Sequence, residues 1–135
     1  VREIGRHIYD YASARQFLLG RGNVRKLANN TSVERISDHA MNRMMVALKE
    51  SAEDVIAVVL HSTYIVAYTS DGRILLNSGG YHTTTTKQRM NQLLPPGYGV
   101  TQRDYAWYVR TPNGEYPFAD GAILYPGASM EYETP

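Results

Sequence analysis

Apolar and polar positions alternate in two rhythms along this chain, and the change from one to the other divides it. From Ile8 to Leu19 the spacing is helical: Ile8, Tyr11, Ala12, Arg15 and Leu19 recur on one side, and Gly20 and Gly22 follow where a helix should stop. A second helical pattern places Val33, Ile36, Ala40, Met44, Ala47 and Leu48 on one face, widened by Met41 and Met45. Thr31-Ser32-Val33-Glu34 has the form of a capping box in front of it, and neither Pro nor Gly interrupts Thr31 to Asp54. The pattern predicts a helix from about Val33 to Glu50. The rhythm then changes. Val55 to Leu60 is an unbroken β-branched and apolar run, as a buried strand requires. Tyr64 to Thr69 is rich in strand formers, and Ser70-Asp71-Gly72-Arg73 reads as a hairpin turn returning along Arg73 to Asn77.

Ser78-Gly79-Gly80 breaks this sheet. A short helix follows from Thr84 to Leu94, with Thr86, Met90, Leu93 and Leu94 turned inward and Thr83, Thr84 or Thr85 as its cap. Pro95-Pro96-Gly97 stops it. Tyr105 to Arg110 is a strand, Asn113-Gly114 a second hairpin signal, Glu115 to Phe118 its return, and Ala122 to Tyr125 a last strand. The stretch from Pro126 is polar and carries Pro and Gly, which reads as a mobile tail. The sum is a single α+β domain over residues 1–135. Two N-terminal helices would pack on a mostly antiparallel sheet of about five or six strands, with a short helix after the Gly-Gly turn.

Composition narrows the functional classes. With 43% hydrophobic and 20% charged residues the chain is ordinary globular material, so general disorder is a poor description. A formal net charge of +1 provides no global field for nucleic acid or anionic lipid, which leaves only a local basic patch. The absence of cysteine removes disulfides, thiolate zinc sites and cysteine nucleophiles, and suits an intracellular protein. No apolar run approaches the roughly 18 residues of a spanning helix, so a membrane partner is not expected. Tyrosine is abundant, 11 against 2 Phe and 1 Trp, which suits the edges of a small sheet or a contact surface.

Candidate chemistry gathers after the hairpin. Gly79 and Gly80 permit a tight turn; Thr83, Thr84, Thr85 and Thr86 bring hydroxyls to a helix start; Lys87 and Arg89 add charge. Unpaired N–H groups and the helix dipole suit an anion there, such as a phosphate of a nucleic-acid backbone. The same residues also read as cap, turn and solvated cations, and the spacing matches neither a Walker loop nor a dinucleotide fingerprint. Secondary candidates are His61 and His82, which fall near the ends of this segment, and the aromatic-basic strand with Arg103, Tyr105 and Trp107. On that strand Tyr105 and Trp107 share one face and Tyr108 and Arg110 the other, so bases could stack on it. The histidines lack zinc-helix spacing, and Ser78 in Asn-Ser-Gly-Gly is not a nucleophile elbow. No metal, cofactor or catalytic set is therefore expected.

The central segment also resembles a family of small proteins of phages and related mobile elements. The likeness runs through Leu60, His61, Thr63, Asp71, Gly72, Leu76, Asn77, Ser78, Gly79, Gly80 and Tyr81. It continues through Thr85, Thr86, Lys87, Arg89, Met90 and Asn91. Arg25 to Thr31, Trp107-Tyr108 and Pro117 to Gly121 fit it too. One departure stands out: the pattern places a strand soon after Asn29-Asn30-Thr31, where the residue spacing predicts the long helix. The resemblance implies a phage context, an accessory role and a place in the host cytoplasm, with virion association as the other location. The leading expectation is a protein that acts by binding nucleic acid or a host nucleoprotein complex, in a possible counter-defence role. The alternatives are an assembly protein, forming homo-oligomers or part of a virion, and a small hydrolase or transferase using His61, Ser78 or His82.

Overall fold

The computed structural model describes residues 7–135. In chain order it has α1 (Tyr11–Leu18), β1 (Val24–Ala28), β2 (Thr31–Arg35), α2 (Arg43–Glu50), β3 (Val55–Leu60), β4 (Thr63–Thr69), β5 (Ile74–Leu76) and α3 (Thr84–Asn91). Then come β6 (Gly99–Arg103), β7 (Ala106–Thr111), β8 (Gly114–Pro117), β9 (Ala122–Leu124) and β10 (Tyr132–Glu133). Strands form a seven-stranded sheet, β1-β2-β3-β4-β5-β9-β10, and a three-stranded one, β6-β7-β8. Every ladder is antiparallel. The α+β class and the helix after the glycine pair are as the sequence predicts; the strands are more numerous.

β3 is the centre, buried along its whole length. Its side chains alternate between two cores. Ile56, Val58 and Leu60 join Ala14, Phe17 and Leu18 of α1, Met90 of α3, and Val100, Trp107 and Val109 of the small sheet. Val55 and Ala57 join Met45 and Leu48 of α2. The two N-terminal helices thus cover opposite faces. Each fully buried Val, Ile or Leu stabilises this layering by about 1.5–3 kcal/mol. A bulge in β4 opposite Val58 and Val59 leaves Ile65 without a partner in the ladder. Ile65 and Val66 consequently reach the same core, next to the loop that carries the candidate site.

Several expectations are corrected. Thr31 to Arg35 is a strand held between β1 and β3, so the capping-box reading fails: Thr31 Oγ1 donates to the Asn29 carbonyl at 2.9 Å and caps nothing. Thr31 and Val33 are buried on a period of two, which competes with the helical spacing and wins once β3 lies alongside. Only the second half of the predicted helix forms; Asn42 caps it, and Met41 stands 95% exposed in the linking loop. The strand implied by the family pattern and the helix implied by spacing are both present, one after the other. Arg25 and Lys26 lie on edge strand β1, where charged side chains discourage pairing with other chains.

The second hairpin turns on Pro112-Asn113, with Thr111 Oγ1 accepting from the backbone N–H groups of Asn113 and Gly114 at 3.2 and 3.1 Å. The segment after Pro126 is folded back rather than loose. Glu131 is buried and accepts from Thr111 Oγ1 at 2.6 Å, Tyr132 donates to the Pro117 carbonyl at 2.5 Å, and β10 pairs with β9.

Candidate functional site

The loop from Asn77 to His82 is built by its own side chains. Asn77 donates its amide to the Tyr64 carbonyl at 3.2 Å, and its Oδ1 accepts from the Gly79 N–H at 3.2 Å. Ser78 is buried; its N–H and its hydroxyl both donate to Asp120 Oδ1, at 2.7 and 2.8 Å, and its Oγ accepts from the Gly80 N–H at 3.1 Å. Gly79 has φ +65°, and an added Cβ would lie 2.8 Å from Thr63 Cγ2. Glycine is needed there both for conformation and for close approach. Gly80 has φ +86° with open space beside it.

Thr83 caps α3: its Oγ1 accepts from the Thr86 N–H at 3.2 Å while its hydroxyl donates to Thr86 Oγ1 at 3.0 Å. Thr86 is thereby drawn inside, whereas Thr84 and Thr85 stay exposed on the first turn. A cleft of about 490 Å³ lies between this helix start and the β3–β4 turn. His61, Thr63, Ser78, Tyr81, Thr85 and Thr86 line it, along with the apolar side chains of Leu60 and Ile65. His61 reaches it from a turn position with φ 56°, its N–H donating to the Asn30 carbonyl at 2.7 Å.

The two cations expected at this corner point away from the cleft. Lys87 Nζ donates to Gln102 Oε1 of β6 at 3.1 Å. Arg89 is buried and donates from Nη1 to Gln92 Oε1 at 2.8 Å; burial draws its pKa below the usual arginine value. His82 takes the other flank, its ring stacked 4.5 Å from the Trp107 ring, with Phe118 edge-on to both. Asn91 completes the clamp between α3 and β6, donating to the Val100 carbonyl at 2.9 Å and accepting from its N–H at 2.7 Å.

A surface runs from the cleft, past Tyr81 and His82 and over Lys87, to the face of the β6–β7 hairpin that carries Gln102 and Trp107. Of the candidates, Thr86, Arg89 and Trp107 are buried, and Arg103 lies on the opposite face of that hairpin. Tyr105 is 95% exposed at the tip, and Arg103 lies 4.2 Å above the Tyr108 ring while pairing with Glu115 at 2.5 Å. That pairing raises the Arg103 pKa. Trp107 is buried beneath His82, so Tyr105 and Trp107 offer no common stacking face. Sequence reasoning missed Gln102 as a partner, since a contact between distant elements leaves no local trace. It undervalued Tyr81, whose only sign was its place beside the glycine pair.

Ser78 and His82 do not form a nucleophile–base pair: the serine proton is directed to Asp120 and the histidine ring lies on Trp107. Among the described residues no group of three or more His, Asp or Glu is placed to hold a metal ion, and no helix is long and apolar enough to cross a membrane.

The model of the Kyanoviridae Gp96 protein family matches residues 23–125. The chain belongs to this phage protein family. The matched span reaches from β1 through β9, so the Kyanoviridae Gp96 segment contains the cleft, α3 and the β6–β7 hairpin. α1 and β10 lie outside it. No curated protein and no solved structure matches the chain.

Proposed function

We propose that this member of the Kyanoviridae Gp96 protein family is an accessory protein that acts by binding single-stranded nucleic acid, free or within a host nucleoprotein complex. Counter-defence is the purpose such binding would serve. The observation that carries the reading is the joining of α3 to the β6–β7 hairpin by the His82–Trp107 stack and the Lys87–Gln102 hydrogen bond. It places the exposed rings of Tyr81 and His82 and the cation Lys87 against one face of the hairpin, with Arg103 on the other face and Tyr105 at the tip where the two faces meet. Single-strand binders use that combination: rings stack on bases of any identity while cations follow the backbone. Close to zero net charge, such a protein would depend on this local arrangement rather than on a global field.

The other readings gain less. For the hydrolase, the Ser78 hydroxyl is directed to the Asp120 carboxylate and His82 lies on Trp107, so no serine–histidine pair is formed by those two. The assembly role leaned on tyrosines and a loose tail. Yet the hydroxyls of Tyr11, Tyr64, Tyr68, Tyr125 and Tyr132 are spent on Asp54, Glu34, the Leu93 carbonyl, Glu133 and the Pro117 carbonyl.

The test is fluorescence anisotropy with labelled 20-nucleotide single-stranded DNA and RNA across a salt series, on the wild type and on Lys87→Glu with Arg103→Glu. Binding should weaken with salt, and the double variant should show a shallower salt slope and a loss of about tenfold or more. Absence of binding to either probe at low salt would refute the reading.

A further inference from the structure

Among the described residues, four non-glycine residues have positive φ: Asn30, His61, Asp104 and Tyr105. The first three are of types that tolerate this region; a bulky aromatic is not. Asp104 and Tyr105, with φ of 51° and 67°, are the two loop residues between Arg103 and Ala106, which pair across β6 and β7. This is the loop in which Asn-Gly or Asp-Gly is strongly favoured, because both central residues are left-handed. The chain uses Asp-Gly in its other Asp-containing hairpin, where Gly72 takes φ +96°. At the β6–β7 tip it has Tyr in place of Gly.

That tyrosine buries almost none of its side chain. It is 95% exposed, among the most exposed large hydrophobic side chains of the described residues, and takes part in none of the ring stacks. A residue that strains its backbone and buries nothing contributes negatively to stability. Its presence at this tip points to a role outside the fold, since strained residues cluster where a ligand or partner is met. The surroundings narrow the partner. The tip itself is acidic, through Asp104, which disfavours a phosphate there. The cations stand further back: Arg103 over the Tyr108 ring, Arg110 further along β7 and Lys87 against Gln102. An unpaired base at the tip, with its backbone running over Arg103 and Arg110 on one face of the hairpin, satisfies both facts.

We infer that Tyr105 is a stacking finger for an unpaired base of a single-stranded nucleic acid, held out on a turn kept at the expense of stability. The inference rests on the nucleic-acid reading above and specifies its contact. It predicts opposite changes in two measurements. Tyr105→Gly relieves the left-handed strain and should raise Tm by about 3 °C. The same variant should weaken binding of the 20-nucleotide probe by about five- to a hundredfold, the range for losing one stacked base. Tyr105→Trp should keep the wild-type affinity. A probe that binds wild type and Tyr105→Gly equally would overturn the inference while leaving the nucleic-acid reading standing. A fall in Tm for Tyr105→Gly would also overturn it, by showing that the tyrosine supports the fold. Failure of the wild type to bind any probe would refute the nucleic-acid reading, and the finger with it.

Discussion

At the scale of single residues, the hairpin aspartate shows how a small charge is held by its neighbours. Burial alone would raise the Asp71 pKa; hydrogen bonds from Arg73 and Thr69 outweigh it and bring the pKa below the ordinary value. Arg73 Nε donates to both carboxylate oxygens, at 3.0 and 3.1 Å, and Thr69 Oγ1 donates to Oδ1. A folded-state pKa below the unfolded one means that the ionised carboxylate contributes stability above the unfolded pKa. That contribution fades as pH falls through the folded value. It is modest, under about 1 kcal/mol, because the side chain is 53% exposed. Asp71→Asn should lose a little stability at pH 7. Its urea midpoint should then fall less than the wild type's as pH drops from about 5 to 2. Parallel curves for the two proteins would show that the carboxylate is not coupled to folding. Gly79 makes a similar point about the site: its closeness to Thr63 ties the β4 strand to the loop, so the glycine pair has a structural use whatever it binds.

At the scale of elements, α3 decides how the candidate surface is assembled. It is short and only weakly amphipathic, so its placement depends on its cap and on its clamp to β6. Thr83→Ala removes the hydroxyl that accepts from the Thr86 N–H and donates to Thr86 Oγ1. It should cost about 1 kcal/mol, read as a shift in denaturant midpoint, and speed amide exchange in the first turn of α3. A Thr83→Ser variant should recover most of the loss, since the cap hydroxyl is restored. This cap was legible in the sequence, as were β3, β4, the Asp-Gly hairpin and the Pro95 stop, because their signals are local: β-branched runs, a turn dipeptide, a hydroxyl before a helix. β2 and β6 were not. Thr31 to Arg35 carries residues compatible with a helix face and becomes a strand because β1 and β3 flank it. Gly99 to Arg103 is polar at its far end and becomes a strand by pairing with β7 and by the grip of Asn91 on Val100. The site followed the same rule. Threonines, glycines and aromatic positions could be named from the sequence, but the union of two separate candidates through His82–Trp107 and Lys87–Gln102 arises only in the fold.

At the scale of the whole molecule, the C-terminal segment holds the two sheets together. β10 adds to the large sheet beside β9. From it, Glu131 reaches Thr111 at the end of β7, Tyr132 donates to the Pro117 carbonyl of β8, and the Tyr132 ring stacks 5.0 Å from Tyr116. Glu131 is a buried carboxylate, and a hydrogen bond to a charged group contributes about 1.5–3 kcal/mol. The small sheet also rests on the main core through Trp107 and Val109, so removing the clasp should loosen it without detaching it. A chain ending at Gly127 should therefore fold, with Tm lower by about 5–10 °C. Amide exchange should quicken in β7, β8 and β9, while β3 and β4 keep their protection. Glu131→Gln should give a smaller loss of the same pattern, since the amide oxygen still accepts from Thr111 while the charge is gone. Unchanged exchange in β7 and β8 in both variants would mean that the main core alone fixes the small sheet. The surface from the cleft to the Tyr105 hairpin would then stand on the α3 clamp by itself.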